Sequence, residues 1–101
     1  MPDTTVDRKT RVNPKVERPK LYKVLLLNDD YTPREFVVMV LRAVFRLNDS
    51  QAETVMMTAH QKGSCVVSVY PRDVAETKAT EATDLAKEHG YPLLFSTEPE
   101  E

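Results

Sequence analysis

The feature that most constrains this chain is the apolar run Leu21-Tyr22-Lys23-Val24-Leu25-Leu26-Leu27, which stops abruptly at Asn28-Asp29-Asp30 and is followed at once by Thr32-Pro33-Arg34-Glu35. A short run dense in Leu and Val and closed by turn-forming residues predicts a buried strand that exits into a polar turn. Thr32 can cap a backbone N–H, Pro33 suits the first helical position and Glu35 can reach back, so a helix is expected to start directly after the turn. The turn's carboxylates are thereby held between two rigid elements.

Beyond the turn, Phe36, Val37, Val40, Leu41, Val44 and Phe45 recur at helical spacing, with Arg42 and Arg46 outside, and predict a first helix. Asn48-Asp49-Ser50 breaks it. Ser50 to Glu53 repeats the capping-box pattern before Ala52, Val55, Met56 and Ala59 align on a second helical stripe, which Gly63 is placed to end. Ser64 to Tyr70 is short and β-branched, and predicts a strand closed by Pro71. Arg72 to His89 is helical by composition, with Val74, Ala75, Leu85 and Ala86 as inner residues, until Gly90 and Pro92 stop it. Leu93 to Ser96 makes a last strand, after which Glu98 to Glu101 is expected to fray. The expected order is β-α-α-β-α-β, an α+β fold in which a three-stranded antiparallel sheet packs on three helices.

With 101 residues, 41% hydrophobic and 30% charged, the chain has material for one compact domain and a polar tail. Residues 1–19 alternate Asp, Thr, Arg, Lys and Pro, and are expected to form a disordered arm before a domain over residues 20–101. A net charge of -2 and a pI near 5.7 argue against a whole-domain fit to nucleic acid. No segment has the apolar length of a membrane span or an export signal. The single cysteine, Cys65, cannot form an internal bridge and suits a reducing compartment, so the expected location is cytoplasmic.

Catalytic constellations are poorly represented. Cys65 lies in an apolar strand, where a cysteine is ordinarily a small core residue. His60, His89 and Cys65 lack the paired spacings of a zinc site. Asn28-Asp29-Asp30 lacks the spaced pattern of a calcium loop, although its oxygens could hold a cation and turn chemistry alone would also explain it. Neither an enzyme nor a metal or cofactor is expected. Met56, Ala59 and His60 share a helix face, so an apolar wall could carry one polar group at its rim, a mixed site suited to an amphipathic ligand.

From about Lys20 onward the chain resembles the ClpS-type adaptors, bacterial and plastid proteins that recognise N-degrons for the Clp protease. The resemblance is carried by Tyr22 to Pro33 with Glu35-Phe36-Val37, by Ala59-His60-Gln61-Lys62-Gly63, by Val74-Ala75-Glu76-Thr77-Lys78 and by Tyr91-Pro92-Leu93-Leu94. It implies a pocket for a destabilising first residue, Leu, Phe, Tyr or Trp. Asn28, Asp29, Asp30 and His60 would then hold its α-ammonium, with Leu27, Thr32, Val37, Met56, Ala59 and Leu93 lining the pocket and Arg34 at its gate. It also implies a monomer that docks through Asp73, Glu76 and Lys78 on the N-terminal domain of a ClpA-type AAA+ unfoldase, which engages the arm to trigger handover.

The family commonly carries Met where this chain has Arg34 and Val where it has Ala59. Arg34 is expected to alter or narrow side-chain preference and to weaken affinity, and Ala59 to enlarge the pocket in favour of aromatic first residues. Two other readings compete. A small RNA- or ribosome-associated protein would use the basic residues Arg8, Lys9, Arg11, Lys15, Arg18 and Lys20. A metal-dependent hydrolase would be built on Asn28, Asp29, Asp30 and His60, with too few ligands and no nucleophile.

Overall fold

The computed structural model describes residues 18–101. The arm expected over residues 1–19 therefore lies, up to residue 17, outside the described residues, together with most of the basic residues of the RNA reading. The elements are β1 (Leu21–Leu27), α1 (Arg34–Phe45), α2 (Asp49–Lys62), β2 (Ser64–Pro71), α3 (Arg72–Glu88) and β3 (Leu94–Pro99). This is the expected β-α-α-β-α-β order. The sheet order is β2-β1-β3, antiparallel throughout.

The central position of β1 explains its near-continuous apolar run. Alternation turns Val24 and Leu26 into the core with Phe95 of β3 and Val67 of β2, while Leu21, Val66 and Leu94 on the other face stay exposed. The helices thus cover one side of the sheet. A bulge pairs Val24 with Ser68 but Leu25 with Val66, which leaves Val67 without a partner on β1 and turns it inward. Phe45 of α1 meets Phe95 with ring centroids 5.4 Å apart, so the first helix and last strand share one aromatic contact. Among the described residues no helix is long and apolar enough to cross a membrane.

Several local expectations shift. Thr32 does not cap α1: Pro33 occupies the N-cap position and has no side-chain acceptor, and the Thr32 hydroxyl, one residue earlier, donates to Asp29. α2 begins earlier than the Ser50 pattern suggested. Asn48 accepts from the Gln51 N–H at 2.8 Å while the Gln51 side chain takes the Asn48 N–H at 3.0 Å, a reciprocal box that competes successfully with the Ser50 one. α1 stops at Arg46, which adopts a left-handed φ of 61° and returns its N–H to Arg42. Gly63, with φ 92°, closes α2 as expected.

In α3 the inner face is not Val74 and Leu85 but the alanine stripe Ala75, Ala79, Ala82 and Ala86. Val74 is 39% exposed and Leu85 only half-buried. At 3.6 residues per turn these alanines form one line, and their small volume lets a largely polar helix lie close against the sheet. α3 ends in the pattern expected of Gly90: the Tyr91 N–H reaches Ala86 at 2.9 Å and the Gly90 N–H reaches Lys87 at 3.0 Å. β3 runs past Ser96 to Pro99 rather than fraying. Lys23 faces Glu98 across the strands with a 3.3 Å ion pair, and the Glu100 N–H meets the Leu21 carbonyl at 2.9 Å. Polar composition concealed this extension because Thr97 and Glu98 gain their order from the neighbouring strand.

Cys65 is half-buried in β2, and burial pushes its thiol up, against smaller opposing effects of Thr58 and Lys62. Less thiolate at a given pH means slower alkylation. Its iodoacetamide rate profile is expected to lie at higher pH than that of an unstructured cysteine peptide. Ala82→Leu should overfill the α3 seam and cost about 1–3 kcal/mol in urea unfolding, whereas Thr80→Leu on the exposed face should change stability by no more than about 0.5 kcal/mol.

Candidate functional site

A cavity of about 370 Å³ opens between the exit of β1, the start of α1, the last two turns of α2 and Leu93 just before β3. Its position follows from one backbone bond. The Asn28 N–H donates to the Gly63 carbonyl at 3.0 Å, which pins the end of β1 to the end of α2. The polar turn and the face bearing Met56, Ala59 and His60 therefore lie side by side.

The structure gathers every residue expected for the pocket around this one cavity: Leu27, Thr32, Arg34, Val37, Met56, Ala59 and Leu93, with Asn28, Asp29, Asp30 and His60. Leu26 and Met57 line it as well, and the sequence reading missed both. Met57 stands one turn before His60 on α2, so the cavity spans a wider face of that helix than Met56, Ala59 and His60 alone mark. Val37, Met56, Ala59 and Leu93 are buried, whereas Asn28, Asp30 and His60 are exposed and Asp29 half-buried. The depth is apolar and one side of the mouth is polar.

Asp29 organises that mouth. One carboxylate oxygen accepts the Tyr31 N–H at 2.7 Å and the Thr32 N–H at 3.0 Å, and the other accepts the Thr32 hydroxyl at 2.6 Å. This is local turn bonding of the kind Asp favours, and it fixes the chain's direction into α1. Among the described residues no protein donor bonds the Asp30 carboxylate or the His60 ring, so both are open to a ligand.

Arg34, at the first position of α1, crosses to α2. Its Nη2 lies 3.3 Å from Glu53 Oε1 and 3.9 Å from Met57 Sδ. The expected gate is thus occupied by an ion pair, and Glu53 was not anticipated. No sequence signal links positions so far apart; the contact exists because α1 and α2 flank the cavity.

Such a site can seat an apolar group bearing a cationic head. An ammonium offers only donors and needs acceptors such as an amide oxygen, carboxylates and a neutral imidazole. The Thr32 hydroxyl donates to Asp29, a carboxylate already engaged by the Tyr31 and Thr32 N–H groups, which is a turn arrangement rather than a nucleophile beside an oriented base. Among the described residues no group of at least three His, Cys, Asp or Glu could hold a metal ion.

The residues expected to dock an unfoldase lie elsewhere, on α3. Asp73 and Glu76 are exposed, Glu76 taking Arg72 Nε at 3.1 Å. Lys78 is half-buried and donates to the Val44 carbonyl at 2.9 Å, so its ammonium also holds the end of α1. Asp73 and Lys78 border a shallow groove with Val74, Thr77 and Glu81.

The model of the ATP-dependent Clp protease adaptor protein ClpS matches residues 17–96. The chain is 62% identical over 101 residues to the ATP-dependent Clp protease adapter protein ClpS 2 of Mesorhizobium japonicum, covering 100% of both. It is 66% identical over 103 residues to the ClpS 2 adapter of Agrobacterium fabrum, again covering 100% of both. The solved structure of Agrobacterium tumefaciens ClpS2 bound to L-phenylalaninamide is 70% identical and superposes with a TM-score of 0.80 over 82% of this chain and 100% of that one. Full-length identity, fold and family match agree, and the chain belongs to the ClpS family of Clp protease adaptors.

Proposed function

We propose that this adaptor binds the N-terminal residue of substrate proteins, of the Leu, Phe, Tyr and Trp class, and delivers those substrates to a ClpA-type AAA+ unfoldase in the cytoplasm. The observation that carries this reading is an apolar cavity whose acceptors stand on one side of its mouth. The first side chain enters the cavity, and the α-ammonium meets Asn28, Asp29, Asp30 and His60. A bound relative supports the assignment. Phenylalaninamide has a phenyl side chain, a free amine and an amide where a peptide bond would stand, and it is bound by the Agrobacterium protein.

Burying a Leu or Phe side chain contributes about 1.5–3 kcal/mol, too little for useful affinity alone. Hydrogen bonds to a charged group add about 1.5–3 kcal/mol each. Recognition therefore needs both halves. An internal residue has no ammonium, and an acetylated one leaves Asp30 facing a neutral amide. In the second step, Asp73, Glu76 and Lys78 dock the adaptor on the unfoldase's N-terminal domain, on a surface that shares no residue with the cavity.

Titration calorimetry with a peptide beginning with free Phe should show binding, and N-acetylation should weaken it at least tenfold, the loss of about one charge-assisted bond. Affinity should also fall as pH rises through the peptide amine's pKa of about 7.7–8.0, because the neutral amine loses its charge. Asp30→Asn should cost about tenfold with stability unchanged, whereas Asp29→Ala should lose binding and also about 1–2 kcal/mol of stability with its turn bonds. Equal affinity for free and acetylated peptides would refute the reading. Asp73→Arg should weaken binding to the unfoldase's isolated N-terminal domain several-fold and leave peptide affinity as it was.

A further inference from the structure

We propose that Glu53 is a positioning residue for first-residue selectivity, holding the Arg34 guanidinium over the cavity so that a ring in the pocket gains a contact that leucine does not. This inference rests on the function proposed above. Arg34 lines the cavity and Glu53 does not, so Glu53 reaches a ligand only through Arg34. The two come from separate helices on opposite sides of the mouth, α1 and α2, joined at 3.3 Å.

Left alone, an arginine side chain that is 68% exposed would spend its long, flexible stem in solvent, since fixing it costs rotamer entropy. Glu53 supplies the acceptor that draws it across the mouth. Glu53 and Met57 are one turn apart on α2, and the guanidinium that bonds the first also touches the thioether of the second. The planar cation is thereby kept at the cavity wall.

A guanidinium stacks on aromatic faces, and a thioether is likewise favourable beside a ring. Phe, Tyr and Trp gain from both; an aliphatic side chain gains from neither. The carboxylate also offsets the charge of Arg34 in a cavity that takes a cationic head.

The test is fluorescence anisotropy with peptides identical except for a first Phe, Tyr, Trp or Leu, on wild type, E53A, E53Q, R34M and the R34M/E53A double variant, with thermal melts to verify folding. Exposed cation–π contacts correspond to about two- to five-fold in affinity. E53A should lower the Phe-to-Leu preference by about that factor. E53Q, which keeps an acceptor oxygen in place, should retain more of the preference, and E53A should add nothing in the R34M background. An unchanged preference in E53A, including uniform weakening of all peptides, overturns the proposal, as does an equal effect in the R34M background. Wild type binding none of the peptides would overturn the proposed function itself.

Discussion

The site depends on the bond between the Asn28 N–H and the Gly63 carbonyl, 3.0 Å long. It joins two chain segments that each end in a sharp change of direction. β1 stops at Asn28 because the next residues are turn formers, and α2 stops at Gly63 because glycine accepts a φ of 92°. Tied together, these ends hold the acceptors of the turn beside the imidazole of His60. Without that tie the acidic turn would be an ordinary surface loop, and His60 an ordinary residue near a helix end.

Around the tie, the division of labour among residues is clear. Asp29 is mainly architectural, with both carboxylate oxygens engaged by Tyr31 and Thr32. Among the described residues, the Asp30 carboxylate and the His60 ring take no protein donor. Val37, Met56, Ala59 and Leu93 form an apolar floor whose burial is continuous with the core. The fold thus leaves an apolar hollow with the Asp30 carboxylate and the His60 ring on one side of its mouth. On the proposed function, that pairing is what discriminates the end of a chain from its interior.

Much of this was legible in the sequence. The β1 run, the stripes of α1 and α2 and the glycine stops gave the element order, because each rests on local periodicity or on a backbone angle one residue type tolerates. Local choices between competing caps were less legible. Asn48 displaced Ser50 as the start of α2, and Thr32 served Asp29 rather than capping α1, since such short polar side chains each have more than one local partner within reach. The Ala75 to Ala86 stripe was half missed because alanine carries too little hydrophobicity to mark a face. The polar end of β3 was missed because its order comes from β1.

The sequence alone determined that the chain forms an α+β domain with an acidic turn between a strand and a helix, and its motifs identified the family. Those signals are short-range or contained in residue identity. Only the tertiary structure decided that Met57 reaches the cavity, that Arg34 is bridged to Glu53, and that Lys78 binds the Val44 carbonyl across a separation of 34 residues. These contacts depend on the distance between packed helices, and no pattern along the chain records that distance.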